Sequence, residues 1–275
     1  VAGTLYIVST PIGNLEDITL RALRTLGEVD LIAAEDTRHS LKLLNHYGIS
    51  KPMISYWGER EKIRSVEIIR RLQAGQTVAL ISDAGTPGIS DPGAVVVRKA
   101  IEENIKVVPV PGPSALIAAL SLSGLPTDVF TFIGFLPPKK TMRKKILKDL
   151  SLEKSTLVFY EAPHRLVETL NDMDQVFGGR KAALIKEITK MHEEILRGKI
   201  SEIIGALQER RIAGEYVIVL EGRPETNKVT IADALEEIDS LMKKGLKRKE
   251  AVKKIAADYE LSSKELYGKS LDKSP

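Results

Sequence analysis

Three stretches of this sequence gather glycine, proline, hydroxyls and carboxylates more densely than ordinary turns require. They are STPIGN at 9–14, SDAGTPGISDPG at 82–93 and PVPGPS at 109–114. Glycine admits positive φ and lets a ligand approach the backbone, while proline stiffens the chain, so such loops can cradle a small molecule. The 82–93 stretch carries two Asp and no Lys or Arg. That lining opposes a polyphosphate and suits a cationic or ribose-bearing ligand. No GxxxxGK[ST] occurs and no GxGxxG follows a strand pattern, which excludes the two common glycine-rich phosphate cradles.

Charged groups that could move a proton stand at the ends of apolar runs. Glu35-Asp36-Thr37-Arg38 offers two carboxylates beside a guanidinium. It reads either as acid–base machinery or as a helix cap by Asp36 or Thr37 with Arg38 paired. Glu161-Ala162-Pro163-His164-Arg165 carries a histidine that is either a switchable base or a solvated loop residue. Lys186 and Glu187 end another apolar run, with Lys190, Glu193 and Glu194 close behind. If Ala183 and Ile185 face one side of a strand, Lys186 faces the other and Glu187 sits at the mouth. Glu187, Lys186 and Arg38 are the catalytic candidates from this strand-end placement, with Glu187 as the base. With no cysteine, disulfides, iron–sulfur clusters and thiolate zinc are excluded, and the four histidines show no metal-ligand spacing. No metal is expected.

The elements that must position these groups can be read from periodicity. Strand patterns at 4–9, 29–34, 52–55, 77–81 and 106–110 alternate with helical patterns near 19–26, 40–47, 59–74 and 93–104. This predicts an open α/β sheet over 1–113, with all three unusual stretches following strands, where ligands of such sheets bind. Pro113 suits the first turn of a following helix and Gly124 its end. A second series over 114–224 has strands at 129–133, 156–160, 182–187, 194–197 and 215–220, and helices at 139–150, 164–177 and 201–211. Residues 221–228 read as a linker, and 229–275 as a small helical domain of two or three helices, the last capped by Ser262 with Glu265. At 275 residues, three such pieces fit the length. No apolar run reaches a membrane span and no basic, signal-like leader is seen, so a cytoplasmic protein is expected.

The overall charge is only +4, but it is unevenly spread. Window 139–148 holds Lys139, Lys140, Arg143, Lys144, Lys145 and Lys148 without an acid. Window 240–254, with Lys247, Arg248 and Lys249, holds seven cations and one acid. Each window is +6, so the rest of the chain is net −8. Two concentrated basic patches on an acidic protein predict contact with a phosphate backbone.

The runs GTLYIVSTPIGNLEDITLRAL, AAEDTR, ISDAGTPGISDPG, VPVPGPSAL, FIGFLP, FYEAPHR and GEYVIVLEG occur in order over nearly the whole chain. Together they resemble the tetrapyrrole methylase superfamily, and within it the branch that methylates a cytidine 2′-oxygen in the decoding region of 16S ribosomal RNA. The resemblance implies two unlike α/β domains with S-adenosylmethionine in the cleft between them, a homodimer, and ribosomal RNA or the small ribosomal subunit as partner. Carried over by position, it places the donor near Pro11, Asp83, Ala84, Gly85, Thr86, Ile89, Ser114 and Ala115. Glu161, Ala162, Gly214 and Glu215 would complete the site from the second domain. A methylase acting on a tetrapyrrole or another small molecule is the alternative within the superfamily. A non-enzymatic RNA-binding assembly factor is the alternative outside it.

Overall fold

The computed structural model describes residues 2–208, 210–224, 231–243, 245–259 and 261–272. The chain divides into two compact units, Val1–Gly222 and Arg223–Pro275.

The larger unit begins with β1 (Thr4–Val8), α1 (Leu20–Glu28), β2 (Leu31–Ala34), α2 (Thr37–His46), β3 (Met53–Ser55), α3 (Glu61–Gln73), β4 (Val78–Ile81), α4 (Ala94–Glu102) and β5 (Lys106–Val110). The five strands pair in parallel in the order β3-β2-β4-β1-β5. A parallel sheet is covered on both faces, so its central strands read as unbroken apolar runs. LIAA of β2 and VALI of β4 are accordingly buried at every position. Leu5, Leu31, Ala33 and Leu80 pack with Ile68 and Leu72 of α3 and Val96 of α4. The alternate residues Val8, Ile32, Ala34 and Ile81 pack with Leu26 of α1 and Leu43 and Leu44 of α2. Because every strand runs the same way, the stretches after β1, β4 and β5 leave the sheet at one edge.

The chain continues through α5 (Ala115–Ser123), β6 (Phe130–Phe135), α6 (Lys140–Asp149), β7 (Thr156–Glu161), α7 (Leu166–Phe177), β8 (Lys181–Lys186), β9 (Glu194–Lys199), α8 (Ile200–Leu207) and β10 (Tyr216–Leu220). This second sheet has the order β6-β7-β10-β8-β9; β6 is parallel to β7 and the other pairs are antiparallel. The two α/β halves are therefore unlike. One face of the second sheet packs Leu157, Phe159 and Leu184 on Leu147, Leu170, Met173 and Ile203 of α6, α7 and α8. The opposite face packs Val158, Ala183, Ile185, Val217 and Val219 on Ala119 and Leu120 of α5 and on Ile12, from the loop after β1. The connecting helix α5 thus covers the second sheet. Its N-cap is Ser114, one residue beyond the expected Pro113, and Gly124 closes it in the left-handed region at φ 73°.

The smaller unit contains α9 (Ile231–Lys243), α10 (Arg248–Asp258) and α11 (Ser263–Asp272). Ala234, Leu235 and Ile238 meet Val252, Ile255, Ala256 and Leu266 in its core. Ser262 Oγ accepts the Glu265 N–H at 3.3 Å, the cap expected from the spacing. Residues 225–228 of the expected linker, residues 229 and 230 of the expected helical domain, and Lys244 of the second basic window lie outside the described residues. No described helix is long and apolar enough to cross a membrane.

Candidate active site

The loops after β1 and β4 are joined to each other. Thr10 and Gly85 exchange backbone hydrogen bonds of 2.9 and 3.1 Å, an isolated antiparallel bridge between loops of a parallel sheet. Thr10 Oγ1 donates to the Ser82 carbonyl at 3.0 Å, and the hydroxyls of Ser9 and Thr86 lie 2.9 Å apart. Gly85 has φ +79°, a conformation other residues rarely adopt. A Cβ there would face Ile12 Cγ2 at 3.5 Å and the Pro113 carbonyl oxygen at 3.9 Å, so all three loops converge on this glycine. A side chain at this point would stand among all three loops, and glycine leaves that place to the backbone alone.

The cradle is acidic. Asp83 Oδ1 accepts the Asp36 N–H at 3.1 Å, and Glu35 Oε2 accepts the Asp83 N–H at 3.3 Å, which binds the end of β2 to the end of β4. Asp91, later in the same loop, is pushed up to about 6 by burial and then by the charges of Glu35 and Asp83, against a hydrogen bond from Ser82. Burial likewise raises Glu35. Carboxylates held together at such cost are stabilised by a positive charge among them. The lining fits a sulfonium better than a phosphate. Among the described residues, no group of three or more His, Asp or Glu is arranged to hold a metal ion.

The second sheet reaches the same loops through Tyr160 and the turn after β8. Tyr160 is raised mainly by burial; its hydroxyl meets the Leu116 N–H at the start of α5, and the Asp91 charge adds to the shift. After β8 the backbone takes positive φ at two non-glycine residues, Glu187 (51°) and Thr189 (65°). That turn places Lys190 Nζ 3.0 Å from Glu187 Oε1 and 2.9 Å from Glu215 Oε2. Glu187 Oε1 also accepts the Glu215 N–H at 2.9 Å. Burial opposes ionisation of Glu187, but Lys190 and this N–H outweigh it and hold the carboxyl below its usual range.

The structure thus brings Pro11, Asp83, Ala84, Gly85, Thr86, Ser114 and Ala115 to one end of the first sheet. Ile89 lies farther along the loop, 48% exposed. Gly214 and Glu215 gather at Glu187 and Lys190; a Cβ on Gly214 would stand 2.7 Å from the Glu187 carboxyl. Several expected residues stand elsewhere. Glu161 alternates with Tyr160, so its carboxylate turns to the α7 face, where Arg165, Thr169 and the Ala162 N–H occupy it. Lys186 lines a small hollow with Leu184, Glu194 and Tyr216 on the face away from Ala183 and Ile185. Its charge still helps to hold the Glu187 carboxyl down, after Lys190 and the Glu215 N–H. Arg38 is 89% exposed and forks onto Asp36, which caps α2; this favours the cap reading of that motif.

The first basic window also divides. Lys139, the N-cap of α6, and Lys140, Lys145 and Lys148 on the helix are exposed. Arg143 is fully buried and paired with Asp172 and Glu168, and Lys144 is bonded to Gln175 and Asp172. Arg143 is a core ion pair, not a surface cation. In the second window Lys247 and Lys249 are exposed. The sequence marks Lys190 only as one of several charges following Glu187, and it does not mark Asp91 or Tyr160 individually. The second Asp of SDAGTPGISDPG is the available signal for Asp91 and the charge cluster after β8 for Lys190; no short-range pattern marks Tyr160.

Comparison with known proteins agrees with this architecture. The profile of the Tetrapyrrole (Corrin/Porphyrin) Methylases matches residues 4–204. The Ribosomal RNA small subunit methyltransferase I of Synechocystis sp. is 47% identical over 98% of this chain and 98% of its own. The protein of the same name from Thermotoga maritima is 49% identical over 80% of this chain and 99% of its own. A uroporphyrin-III C-methyltransferase from Thermus thermophilus, solved with S-adenyl homocysteine, superposes with a TM-score of 0.55 at 20% identity, over 79% of this chain and 97% of that one. The chain belongs to the tetrapyrrole methylase family.

Proposed function

We propose that this chain transfers a methyl group from S-adenosylmethionine to the ribose 2′-oxygen of a cytidine in the decoding region of small-subunit (16S) ribosomal RNA. The observation that carries the reading is the near full-length match, at 47% identity, to a protein named for methylating small-subunit ribosomal RNA. The acidic cradle supports the donor, because its carboxylates suit a cationic sulfur and its glycines leave room for a ligand. Pro11, Asp83, Ala84, Gly85, Thr86, Ser114 and Ala115 would hold it, with Ile89 and the Ala162 backbone at the margin. The chemistry that S-adenosylmethionine supplies when bound is an electrophilic methyl on a sulfonium.

The residues of the chain then have a nucleophile to orient and a proton to remove. Asp91 is the carboxylate suited to accept the 2′-hydroxyl proton, being ionised at neutral pH yet more basic than a free aspartate. Glu187 is too acidic and too fully engaged for that task; it positions Lys190, whose ammonium stabilises the forming alkoxide. Lys139, Lys140, Lys145, Lys148, Lys247 and Lys249 contact RNA phosphates. We read the functional domains as 1–113, 114–224 and 229–275, the assembly as a homodimer, and the cytoplasm as the place of action, where the small ribosomal subunit is found.

The test is methyl transfer from labelled S-adenosylmethionine onto naked small-subunit RNA, isolated small subunits and a tetrapyrrole, with the product mapped by mass spectrometry. A methylated cytidine ribose is expected. Methylation of the tetrapyrrole alone, or donor binding without any transfer, overturns the reading.

A further inference from the structure

The chain has five phenylalanines, and three of them, Phe130, Phe132 and Phe135, lie on β6, the edge strand of the second sheet. In an unbroken strand, side chains alternate between faces, so Phe132 and Phe135 would point to opposite sides. They do not, because the register breaks between them. Phe132 pairs with Val158, Gly134 with Phe159 and Phe135 with Tyr160. The extra residue, Ile133, shifts the alternation by one and turns Phe135 onto the face that carries Val158 and Tyr160. Tyr160 then meets both rings edge-on, Phe132 at 4.9 Å and Phe135 at 5.6 Å between centroids.

The same irregularity brings this aromatic row to the candidate site. Gly134 has φ +71°, and a Cβ there would stand 2.9 Å from Ser90 Oγ. The loop that carries Asp91 is therefore seated directly against the irregular turn of β6. Irregularities of this kind beside active sites commonly re-aim a side chain. Here the re-aimed side chain is left open: Phe135 is 55% exposed and Phe130 39% exposed. Lys139 and Lys140, both exposed, follow Phe135 within five residues. An open ring face beside exposed cations is the combination with which proteins hold single-stranded nucleic acid, by base stacking and phosphate contact.

We propose that the β6 row is a base-stacking platform for single-stranded RNA, with Phe135 holding the base nearest the donor loops. This rests on RNA being the substrate, as argued above, and adds the residue that places the target nucleotide. The irregular register is what makes it work: it turns the ring toward the site and seats the Asp91 loop beside it.

The experiment uses the full chain and a short cytidine-containing single-stranded RNA. The chain has one tryptophan, Trp57, so Phe135→Trp in a Trp57→Phe background provides a single fluorescent reporter at the platform. RNA is expected to quench it. Phe135→Ala should raise the KM for RNA by about tenfold or more, the scale of one lost base–aromatic stack. Its affinity for S-adenosylmethionine and its thermal midpoint should stay at the wild-type values, and Phe135→Tyr should restore the KM. An RNA KM within twofold of wild type in Phe135→Ala, with wild-type methyl transfer intact, overturns the platform. So does a change in oligomeric state by light scattering with that KM unchanged, which would assign the row to contact with a second copy. Quenching by RNA without any methyl transfer would keep the platform and refute the transfer reading instead.

Discussion

Lys190 lies across Gly13. A Cβ on Gly13 would stand 2.4 Å from Lys190 Cγ, so the lysine stem fills the space a side chain there would need. With its ammonium between Glu187 and Glu215, this one residue fastens the loop after β1 to the turn after β8 and the start of β10.

Gly13→Ala should therefore expel the stem, separate the ammonium from both carboxylates and slow methyl transfer at least about tenfold. In a Lys190→Ala background the same substitution should cost clearly less, because the obstacle is gone and only the backbone strain of Ala at φ +159° remains. Turnover and thermal midpoint of the four proteins check this coupling. Additive losses would show that Gly13 and Lys190 act separately.

Asp91 gives the activity a pH dependence of defined sign. It titrates at about 6 in the folded chain against an ordinary value of 3.8, so between those values the folded state holds the extra proton. Stability contributed by this group falls as pH rises through that window and is fully lost above it. Asp91→Asn should gain on the wild type from roughly pH 4 to 6 and keep a constant advantage at higher pH, as thermal melts at several pH values would show. Methyl transfer should move oppositely. Wild-type turnover falls tenfold per unit below about pH 6, and Asp91→Asn lacks both the inflection and most of the activity.

The cations of α6 should separate into two behaviours. Asp172→Ala leaves the fully buried Arg143 without its main partner and should destabilise the fold by about 3–5 kcal/mol. Lys139→Glu with Lys140→Glu should leave the melting temperature near wild type. That pair should flatten the salt dependence of RNA affinity by about 1.4 in log–log slope, at about 0.7 per lost single-strand contact. Denaturant melts and RNA titrations at several salt concentrations separate the two. An unchanged slope in the lysine pair would make those residues a solvated face.

The helical unit should contribute RNA affinity and leave the donor site untouched. A chain ending at residue 222 retains both sheets and all the loops of the cradle. It should bind S-adenosylmethionine as tightly as the full chain by calorimetry and bind RNA more weakly, with the deficit shrinking at high salt.

What was readable in the sequence depended on the range of the forces involved. The buried strands LIAA and VALI, the loops that follow them and the Ser262 cap are local patterns, and the structure has them where periodicity and capping put them. Alternation alone also separates Glu161 from Tyr160 and Lys186 from Ile185, which argues against Glu161 and Lys186 as groups facing the loops. Arg143 stands four residues from the buried Leu147 on the same helix face, so its inward direction was legible, but its partner Asp172 lies 29 residues away on α7. Lys190 was hidden by backbone that no propensity rule anticipates, with Glu187 and Thr189 both at positive φ. Phe135 was hidden by a register break whose reason, the nearness of Ser90 to Gly134, exists only in three dimensions.

The position of β10 at the middle of the second sheet carries a consequence for biosynthesis. β7 and β8 do not pair with each other; each pairs with β10, the last of this sheet's strands to be made. While the chain is emerging from the ribosome, β6–β7 and β8–β9 can form only as separate two-stranded pieces, each with an open inner edge of unpaired backbone. Such edges are sticky, and a nascent chain lengthens by only about 5–20 residues per second. The arrival of residues 216–220 closes both edges at once. Completion of the second sheet is thus a single late event, and until it happens both inner edges stay open.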